Sequence, residues 1–211
     1  SMQGSFAAFM TLSRLNQAKD TTLFIDPGFP VHKQQHKVMG LKYESFDVYE
    51  YRGEKLRAKL ESYFSKGNIH SGLYSNPNNP SWICFTDLEL QIIGELANKY
   101  GVIIIEDLAY FGMDFRKDYS KPGVPPFQPT VAKYTDNYLL LISSSKAFSY
   151  AGQRIGLMVI SNQLFKMRSD DLLRYYSSNE FGRAMIFGTV YSLSSGTAHS
   201  AQYALAAMLK A

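Results

Sequence analysis

The stretch Leu139–Lys146, with the sequence LLLISSSK, decides how the rest of the chain is interpreted. Its consecutive aliphatic residues are typical of a buried β-strand. The serines and the lysine that follow place a primary amine at the end of that strand, the edge at which open α/β sheets build their ligand sites. Such an amine is either a surface charge or a desolvated nucleophile suited to Schiff-base chemistry, and the stretch alone favours the surface charge.

Strand-like and helix-like segments alternate on both sides of this stretch. The predicted strands lie at residues 23–25, 41–48, 70–74, 102–105, 139–142 and 157–160. The predicted helices lie at residues 6–15, 30–39, 53–64, 86–100, 161–176 and 198–209. This alternation predicts an α/β fold, a three-layer αβα sandwich around a mostly parallel sheet.

Composition narrows the class of protein. A chain of 211 residues forms one large domain or two small ones. The net charge of +4 comes from scattered basic residues, which argues against nucleic-acid binding but allows an anionic ligand. Cys84 is the only cysteine, so an internal disulfide framework is excluded. Neither a leader pattern nor a long apolar run is visible, so we expect a cytoplasmic protein that makes no membrane contact.

A histidine pair, His32 and His36, is spaced for one face of the helix predicted at residues 30–39. Two such histidines could bind a metal, but Lys33, Gln34 and Gln35 between them include no glutamate base. We therefore expect two solvated histidines and no metal site.

Polar residues follow three of the predicted strands. One strand ends at Asn76–Pro80, the next at Asp107 and Tyr110, and the third at Ser143. A carboxylate at the end of a buried strand needs a partner. A lysine, an arginine or a ligand that is cationic at one end and anionic at the other would serve.

The motifs Asn76–Pro80 (NPNNP), Asp107–Tyr110 (DLAY) and Ser143–Lys146 (SSSK), with Arg154 eight residues after the lysine, resemble those of fold-type I pyridoxal-phosphate enzymes. Among these they are most similar to the class I/II aminotransferases. The resemblance implies a cofactor-binding large domain over residues 1–211 and the cofactor pyridoxal 5'-phosphate. It also implies that the family's amino-terminal segment and most of its carboxyl-terminal small domain, with the arginine that grips the substrate carboxylate, lie outside this chain.

The same resemblance assigns roles around the cofactor ring. Lys146 would form the Schiff base with the cofactor aldehyde and then move the Cα proton, in an apolar pocket that lowers its pKa. Asp107 would keep the pyridine nitrogen protonated, so that the ring acts as an electron sink. Asn79 and Tyr110 would hydrogen-bond the ring oxygen, and Phe29 would stack on the ring face.

The phosphate of the cofactor would lie at the other end of the site. The resemblance assigns it to Arg154, Ser143 and the backbone N–H groups of Ser1 and Met2, with Ser145 as a further candidate. A helix that begins near Ser1 fits this role, because the first N–H groups of a helix have no partner within it.

One departure from the family concerns the loop after the third predicted strand. The family often has Asn-Pro-Thr-Gly, whereas this chain has Ser81 and Trp82 after Asn79 and Pro80. Tryptophan in place of glycine predicts a different loop shape and a different substrate pocket.

Several functions are compatible with these residues. A carbon–sulfur lyase or another fold-type I enzyme would keep the same cofactor residues, and aminotransfer leads because it is the commonest case. Ser143 and Lys146 also match the Ser-x-x-Lys of serine acyltransferases, with Tyr74–Asn76 as a possible Tyr-x-Asn partner, but that motif should open a helix. A non-catalytic binding domain would gain nothing from a lysine at a strand end.

The expected partners are an amino acid and a 2-oxo acid. The resemblance also implies a homodimer in which each active site borrows residues from the neighbouring subunit. Residues 194–197 could supply such a contribution, and an ordinary helix cap explains them equally well.

Overall fold

The aliphatic runs form one sheet in the computed structural model, which describes residues 1–119, 121 and 123–210. Within the described residues the sheet has six strands in the order β2-β1-β3-β4-β5-β6. The first five are parallel, and β6 pairs antiparallel with β5. The strands are β1 (Thr21–Asp26), β2 (Lys42–Asp47), β3 (Ile69–Ser75), β4 (Ile103–Leu108), β5 (Tyr138–Ser143) and β6 (Gly156–Ile160).

Helices cover both faces of the sheet and connect the parallel strands up to β4, whereas the regular structure described between β4 and β5 is a single 3₁₀ turn. The longer helices are α1 (Met2–Leu12), α2 (Pro30–Met39), α3 (Lys55–Phe64), α4 (Asp87–Tyr100) and α9 (His199–Met208). Shorter helical segments are α5 (Ser144–Ala147), α6 (Asn162–Lys166), α7 (Phe181–Arg183) and α8 (Tyr191–Ser194), with a π-helical stretch (Ala184–Val190) joining α7 to α8. Single 3₁₀ turns lie at Tyr49–Tyr51, Val131–Lys133 and Ala151–Gln153, and a longer one at Asp170–Arg174.

Each face of the sheet has its own core, which confirms the three-layer prediction. On one face, strand residues such as Leu23 and Ile104 pack with Leu60 of α3 and Ile93 of α4. On the other face, Phe24, Ile103 and Ile105 pack with Phe9 of α1 and with α6 and α7. Neighbouring residues of one strand therefore enter different cores, because successive side chains point to opposite faces.

Helix α4 begins where the sequence places its capping box. The Thr86 hydroxyl accepts a hydrogen bond from the Glu89 backbone N–H, and the Glu89 carboxylate accepts one from the Thr86 N–H at 2.9 Å. Glu89 also binds the Arg52 guanidinium through two oxygens, at 2.6 and 2.7 Å. Gly101 ends the helix at a φ of 58°, a conformation that glycine adopts without strain.

The helix predicted at residues 161–176 is interrupted, because a 3₁₀ turn at Asp170–Arg174 takes the place of a continuous α-helix. Only Asn162–Lys166 is α-helical, and the chain becomes extended at Met167. Two backbone bonds to a later segment replace the helical ones: Phe181 N–H donates to Met167 O at 2.8 Å and Ser169 N–H to Asn179 O at 2.9 Å. The helical periodicity of this stretch is overridden by pairing with residues that are distant in sequence.

Among the described residues, we find no helix that is long and apolar enough to cross a lipid bilayer.

Candidate functional site

A cleft of about 740 Å³ lies at the carboxyl ends of β3, β4 and β5. Parallel strands bring their carboxyl ends to one edge, which explains why the polar strand ends meet there. The cleft is lined by every residue that the sequence assigns to a cofactor: Ser1, Met2, Phe29, Asn79, Asp107, Tyr110, Ser143, Ser145, Lys146 and Arg154. Their arrangement in one cavity is a geometric finding, and the role of each residue stays a prediction.

Asp107 is the buried acid of the cleft. It lies near the end of β4, in register with Ser75 of β3 and Leu141 of β5, and is 3% exposed. Its Oδ1 atom has no hydrogen-bond partner within the part of the chain that the structure describes. Burial raises the pKa of the carboxyl group to about 6. A buried carboxylate with an unpaired oxygen is suited to a ligand that carries an N–H group or a positive charge.

His32 stands behind Asp107, and the expectation that His32 and His36 are solvated is wrong. Both are buried, at 1% and 0% exposure. His32 Nε2 lies 3.5 Å from Asp107 Oδ2, and His36 Nε2 lies 2.9 Å from the Thr22 hydroxyl. Because burial lowers the pKa of both rings to about 4, the histidines are neutral at pH 7, and the His32–Asp107 contact is not an ion pair.

The packing that buries these histidines is not visible in the spacing of α2. The His36 ring packs edge-on against Phe9, at 4.3 Å between centroids, and the His32 ring against Phe29 at 5.8 Å. Phe9 belongs to α1, so the helix pair α1 and α2 encloses the polar face of α2 instead of leaving it to solvent. His32 therefore lies against the cleft residue Asp107, a position that the sequence reasoning missed.

Lys146 lies one turn beyond the end of β5, in α5, and its side chain is exposed. The pocket expected around it does not enclose the amine: Lys146 is exposed, and the ring centroid of Tyr110 lies 5.7 Å from Nζ. Ser143 both ends β5 and caps α5 by accepting a hydrogen bond from the Ser145 N–H at 3.2 Å. The SSSK motif thus joins a strand end to a short helix and faces the amine into the cleft.

The anion-binding side of the cleft is built from the first turn of α1. Ser1 caps this helix without a side-chain hydrogen bond, and Met2 and Gln3 line the cleft. The first backbone N–H groups of a helix have no partner within it and favour negative charge. Arg154 lines the same cleft with an exposed side chain at a backbone φ of 51°, and its Nη1 donates to Ala151 O at 2.8 Å.

A hydrogen-bonded loop holds Asn79 at the cleft. Asn78 Nδ2 donates to Pro27 O at 2.6 Å, which ties this loop to the segment that carries Phe29. The loop is also anchored at its start, because Asn76 Nδ2 donates to Glu106 Oε1 at 3.1 Å.

Glu106 is a fully buried carboxyl group next to Asp107. Its second oxygen accepts the Val131 N–H at 2.9 Å, and burial raises the pKa of the group to about 7. Glu106 therefore joins β4 to the NPNNP loop and to the segment before β5, behind the cleft.

The cleft also includes residues that the sequence reasoning did not assign to the cofactor. Ser75 ends β3 and is 2% exposed, with a hydroxyl oxygen that has no partner among the described residues. Its position directly before the NPNNP motif is the signal that could have found it. The π-helical stretch adds Met185 and Ile186 to the wall, and no local pattern marks them. Ser194 and Thr197 line this chain's own cleft.

The fold does not bring the tyrosine that the serine acyltransferase alternative requires into the cleft. Tyr74, the tyrosine it would need, is 1% exposed and packs against Phe85 in the core, at 4.7 Å between ring centroids. Burial raises the pKa of its phenol well above the ordinary value. Tyr74 is not among the residues that line the cleft with Lys146.

Taken together, the cleft has the donor set for a flat, phosphorylated heteroaromatic ligand. The unpaired Asp107 oxygen fits a protonated ring nitrogen, and the α1 terminus and Arg154 fit a phosphate. Pyridoxal phosphate has both features, so the residues present fit the cofactor that the sequence motifs imply.

The fold and the cleft define an α/β protein with an anion-accepting site at the carboxyl edge of its sheet. The model of the family "Aminotransferase class I and II" matches residues 2–211. The chain belongs to this family, as the motif resemblance predicts.

Two curated relatives show how far the sequence similarity extends. It is 28% identical over 180 residues to a glutamate-pyruvate aminotransferase of Escherichia coli, covering 83% of this chain and 40% of that protein. It is 24% identical over 162 residues to a probable aspartate aminotransferase of Methanocaldococcus jannaschii, covering 77% of this chain and 40% of the relative. The chain therefore spans less than half the length of these curated relatives.

Solved structures agree on the fold. A protein of Escherichia coli described as a methionine aminotransferase superposes with a TM-score of 0.75 at 16% identity, over 100% of this chain and 48% of that one. An aspartate aminotransferase of Thermotoga maritima gives a TM-score of 0.73 at 18% identity, over 100% and 49%. Similarity at this level of identity shows the shared fold and does not identify a substrate.

Proposed function

We propose that the full-length protein is a pyridoxal-phosphate-dependent aminotransferase that moves an amino group between an amino acid and a 2-oxo acid. The observation that supports this most is the convergence of three side chains from separate segments. Lys146, Asp107 and Arg154 supply an amine, an unpaired carboxylate and a guanidinium to one cleft. Family membership supports the same reaction class.

Pyridoxal phosphate, when bound, supplies an aldehyde that reacts with amines and a ring that accepts electrons from a bond at the substrate Cα. The residues of this chain would hold it at both ends. The α1 backbone N–H groups, Ser143, Ser145 and Arg154 would bind the phosphate, and the Asp107 carboxylate would accept a hydrogen bond from the ring nitrogen and keep it protonated. His32 lies behind the carboxylate and is neutral, because burial lowers its pKa to about 4. It would therefore not take this proton from the ring nitrogen.

The remaining residues act on the reacting side. The Lys146 amine would bind the cofactor at its aldehyde and would carry a proton to and from the substrate Cα. The Asn79 amide and the Tyr110 phenol would donate hydrogen bonds to the ring oxygen, and Phe29 would cover one ring face. Exposure of Lys146 in this chain leaves the amine open to a substrate.

The test is chemical trapping of the lysine. Full-length protein incubated with pyridoxal phosphate is reduced with borohydride, digested and analysed by mass spectrometry. We expect a stable adduct on Lys146, and loss of that adduct in Lys146→Ala with the fold preserved by circular dichroism. Lys133→Ala, at an exposed lysine outside the cleft lining, is the matched control and should keep the adduct. A stoichiometric adduct in Lys146→Ala would contradict the assignment.

Aminotransfer itself is tested by stoichiometric conversion of the bound cofactor to its amine form by an amino acid donor. Absence of this half-reaction with every amino acid would leave the cofactor site intact but refute the reaction. A homodimer in the cytoplasm is part of the same proposal, and the mass of the full-length protein in solution tests the dimer.

A further inference from the structure

Trp82 has an unusual backbone conformation for a bulky residue. Its φ is 59°, in the left-handed region that glycine adopts freely and tryptophan rarely adopts. Two hydrogen bonds hold it there: Trp82 N–H donates to Asn78 O at 3.0 Å and Asn78 N–H to Ile83 O at 2.8 Å. Glycine, the residue with which the motif often ends, would remove the strain. A strained residue that is kept beside a ligand cleft is a reason to look for a function.

The indole of Trp82 belongs to a group of three aromatic rings. It meets Tyr110 edge-on, with 5.3 Å between centroids and 73° between planes. It lies nearly parallel to Phe115, at 6.5 Å and 16°. The indole is 42% exposed and Phe115 77% exposed, so both rings present faces to solvent. We refer to Tyr110, Trp82 and Phe115 as the aromatic ledge.

The aromatic ledge starts inside the catalytic cleft and leads out of it. Tyr110 lines the main cleft, and its ring centroid is 5.7 Å from Lys146 Nζ. Trp82 and Phe115 line a smaller adjacent cleft of about 310 Å³. A substrate that would exchange its amino group with that of Lys146 at the cofactor aldehyde lies close enough to Tyr110 for its side chain to extend along the ledge to the indole.

The charges of the smaller cleft argue against an acidic side chain. Its one cationic lining residue, Arg116, is held by both oxygens of Asp114, at 2.7 and 2.6 Å. The Asp114 side chain is only 6% exposed, so this pair is neutral and fixed at one side of the cleft. A substrate carboxylate would find no free cation among these lining residues. An aromatic ring can instead stack on the indole face.

We propose that the aromatic ledge binds the side chain of the amino acid substrate and that this side chain is aromatic. The proposal rests on the aminotransferase function proposed above and specifies its substrate class. Trp82 acts as a specificity-determining residue, and the strain at its backbone is retained because glycine would offer no ring for the substrate to stack on.

The first experiment compares substrates in the cofactor-loaded full-length protein. Wild type, Trp82→Gly and Trp82→Phe are assayed with phenylalanine and with alanine as amino donors. We expect Trp82→Gly to lower the ratio of kcat/KM for phenylalanine to that for alanine by roughly three- to tenfold, mainly through KM, as one stacking contact is lost. Trp82→Phe should keep the ratio within about twofold, because it preserves a ring.

Two features make these variants informative. Glycine suits the φ of 59°, so Trp82→Gly should leave the melting midpoint within about 4 °C of the wild type. Tyr49→Ala removes a different exposed aromatic ring, 60% exposed and outside both clefts, and should leave the substrate ratio unchanged. An unchanged ratio in Trp82→Gly would overturn the proposal.

The second experiment does not depend on turnover. Trp82 is the only tryptophan of this chain, and its resonance in 5-fluorotryptophan-labelled full-length protein is assigned by its absence from Trp82→Phe. We expect 3-phenylpropanoate, which has an aromatic side chain but no reactive amine, to shift this ¹⁹F resonance, and glutarate to leave it in place. A resonance that ignores 3-phenylpropanoate refutes the ledge.

The outcomes separate the two proposals. Failure to trap the cofactor on Lys146, together with a normal ¹⁹F shift, would refute the reaction and keep an aromatic binding site. Normal aminotransfer with an unmoved resonance would refute the ledge and keep the reaction. A large loss of thermal stability in Trp82→Gly with no ¹⁹F response would show that another segment of the full-length protein covers the indole, which also overturns the proposal.

Discussion

Asp107→Asn is expected to stabilise the cofactor-free protein at pH 7. The carboxylate is 3% exposed, one of its oxygens has no partner among the described residues, and the histidine 3.5 Å away is neutral. A charge buried in this way disfavours the folded state, because solvation in the unfolded chain is better. Asparagine has almost the same shape and carries no charge.

The magnitude and its pH dependence follow from the pKa of Asp107. Burial raises this pKa from 3.8 to about 6. The folded state then binds the proton more tightly than the unfolded state, so the carboxyl group is least unfavourable below pH 3.8 and its cost grows as the pH rises to about 6. One pKa unit corresponds to about 1.4 kcal/mol, so the gain in free energy of unfolding is about 3 kcal/mol at pH 7 and falls to about 0.6 kcal/mol at pH 4.

The assay is urea unfolding of the cofactor-free full-length protein between pH 4 and pH 7. Wild type and Asp107→Asn should diverge as the pH rises, with equal m-values. Asp136→Asn, at an exposed position, is the control and should follow the wild type. Saturating cofactor should shrink or reverse the difference, since only the carboxylate can pair with a protonated ring nitrogen. If Asp107→Asn were no more stable than the wild type at pH 7, the charge would already be compensated within the fold.

Three further changes test the packing around the sheet. His70 has two buried ring nitrogens without partners among the described residues, and burial lowers its pKa to about 3. The unfolded chain therefore binds a proton more tightly, and stability should fall as the pH drops below 6.5. Thermal melts of His70→Leu should show a flatter fall between pH 6 and pH 4. Gly94→Ala would place a Cβ 2.6 Å from the Tyr134 Cβ, so urea unfolding should show a loss of about 1–3 kcal/mol, and an equally stable variant would contradict this packing. Glu106→Gln removes one acceptor from a pair of buried hydrogen bonds and should lower the free energy of unfolding by about 1–3 kcal/mol. The same change should weaken cofactor binding, measured by fluorescence titration. Unchanged affinity would show that Glu106 does not position the NPNNP loop.

The sequence predicts most of the sheet because its signals are local. Each run of aliphatic residues needs only its own composition to be identified as a buried strand, and the capping box at Thr86 fixes the start of α4 within four residues. Because the strands are parallel, the polar residues at their carboxyl ends meet at one edge of the sheet. This is why Asp107 and Lys146, 39 positions apart, could be expected in one cleft.

The errors arise where distant segments decide the outcome. The spacing of His32 and His36 shows that they share a helix face but not what that face meets, and α1 is separated from them by β1. Residues 167–181 pair with one another instead of extending α6, which no helical periodicity reveals. The exposure of Lys146 depends likewise on which segments surround α5, and the run of serines before it carries no information about them.

Backbone strain points to the same part of the molecule as the unpaired carboxylate. The described residues include four non-glycine positions with positive φ, and these are Trp82, Ser149, Arg154 and Ser195. Arg154 lines the cleft, Trp82 contacts a residue that does, and Ser195 follows a lining residue directly. Such conformations persist only when the surroundings hold them, and their cost lowers the stability of the empty fold. A ligand that pairs with Asp107 and with the anion site would offset this cost by mass action, so the cleft is arranged for a bound cofactor at the expense of the free protein's stability.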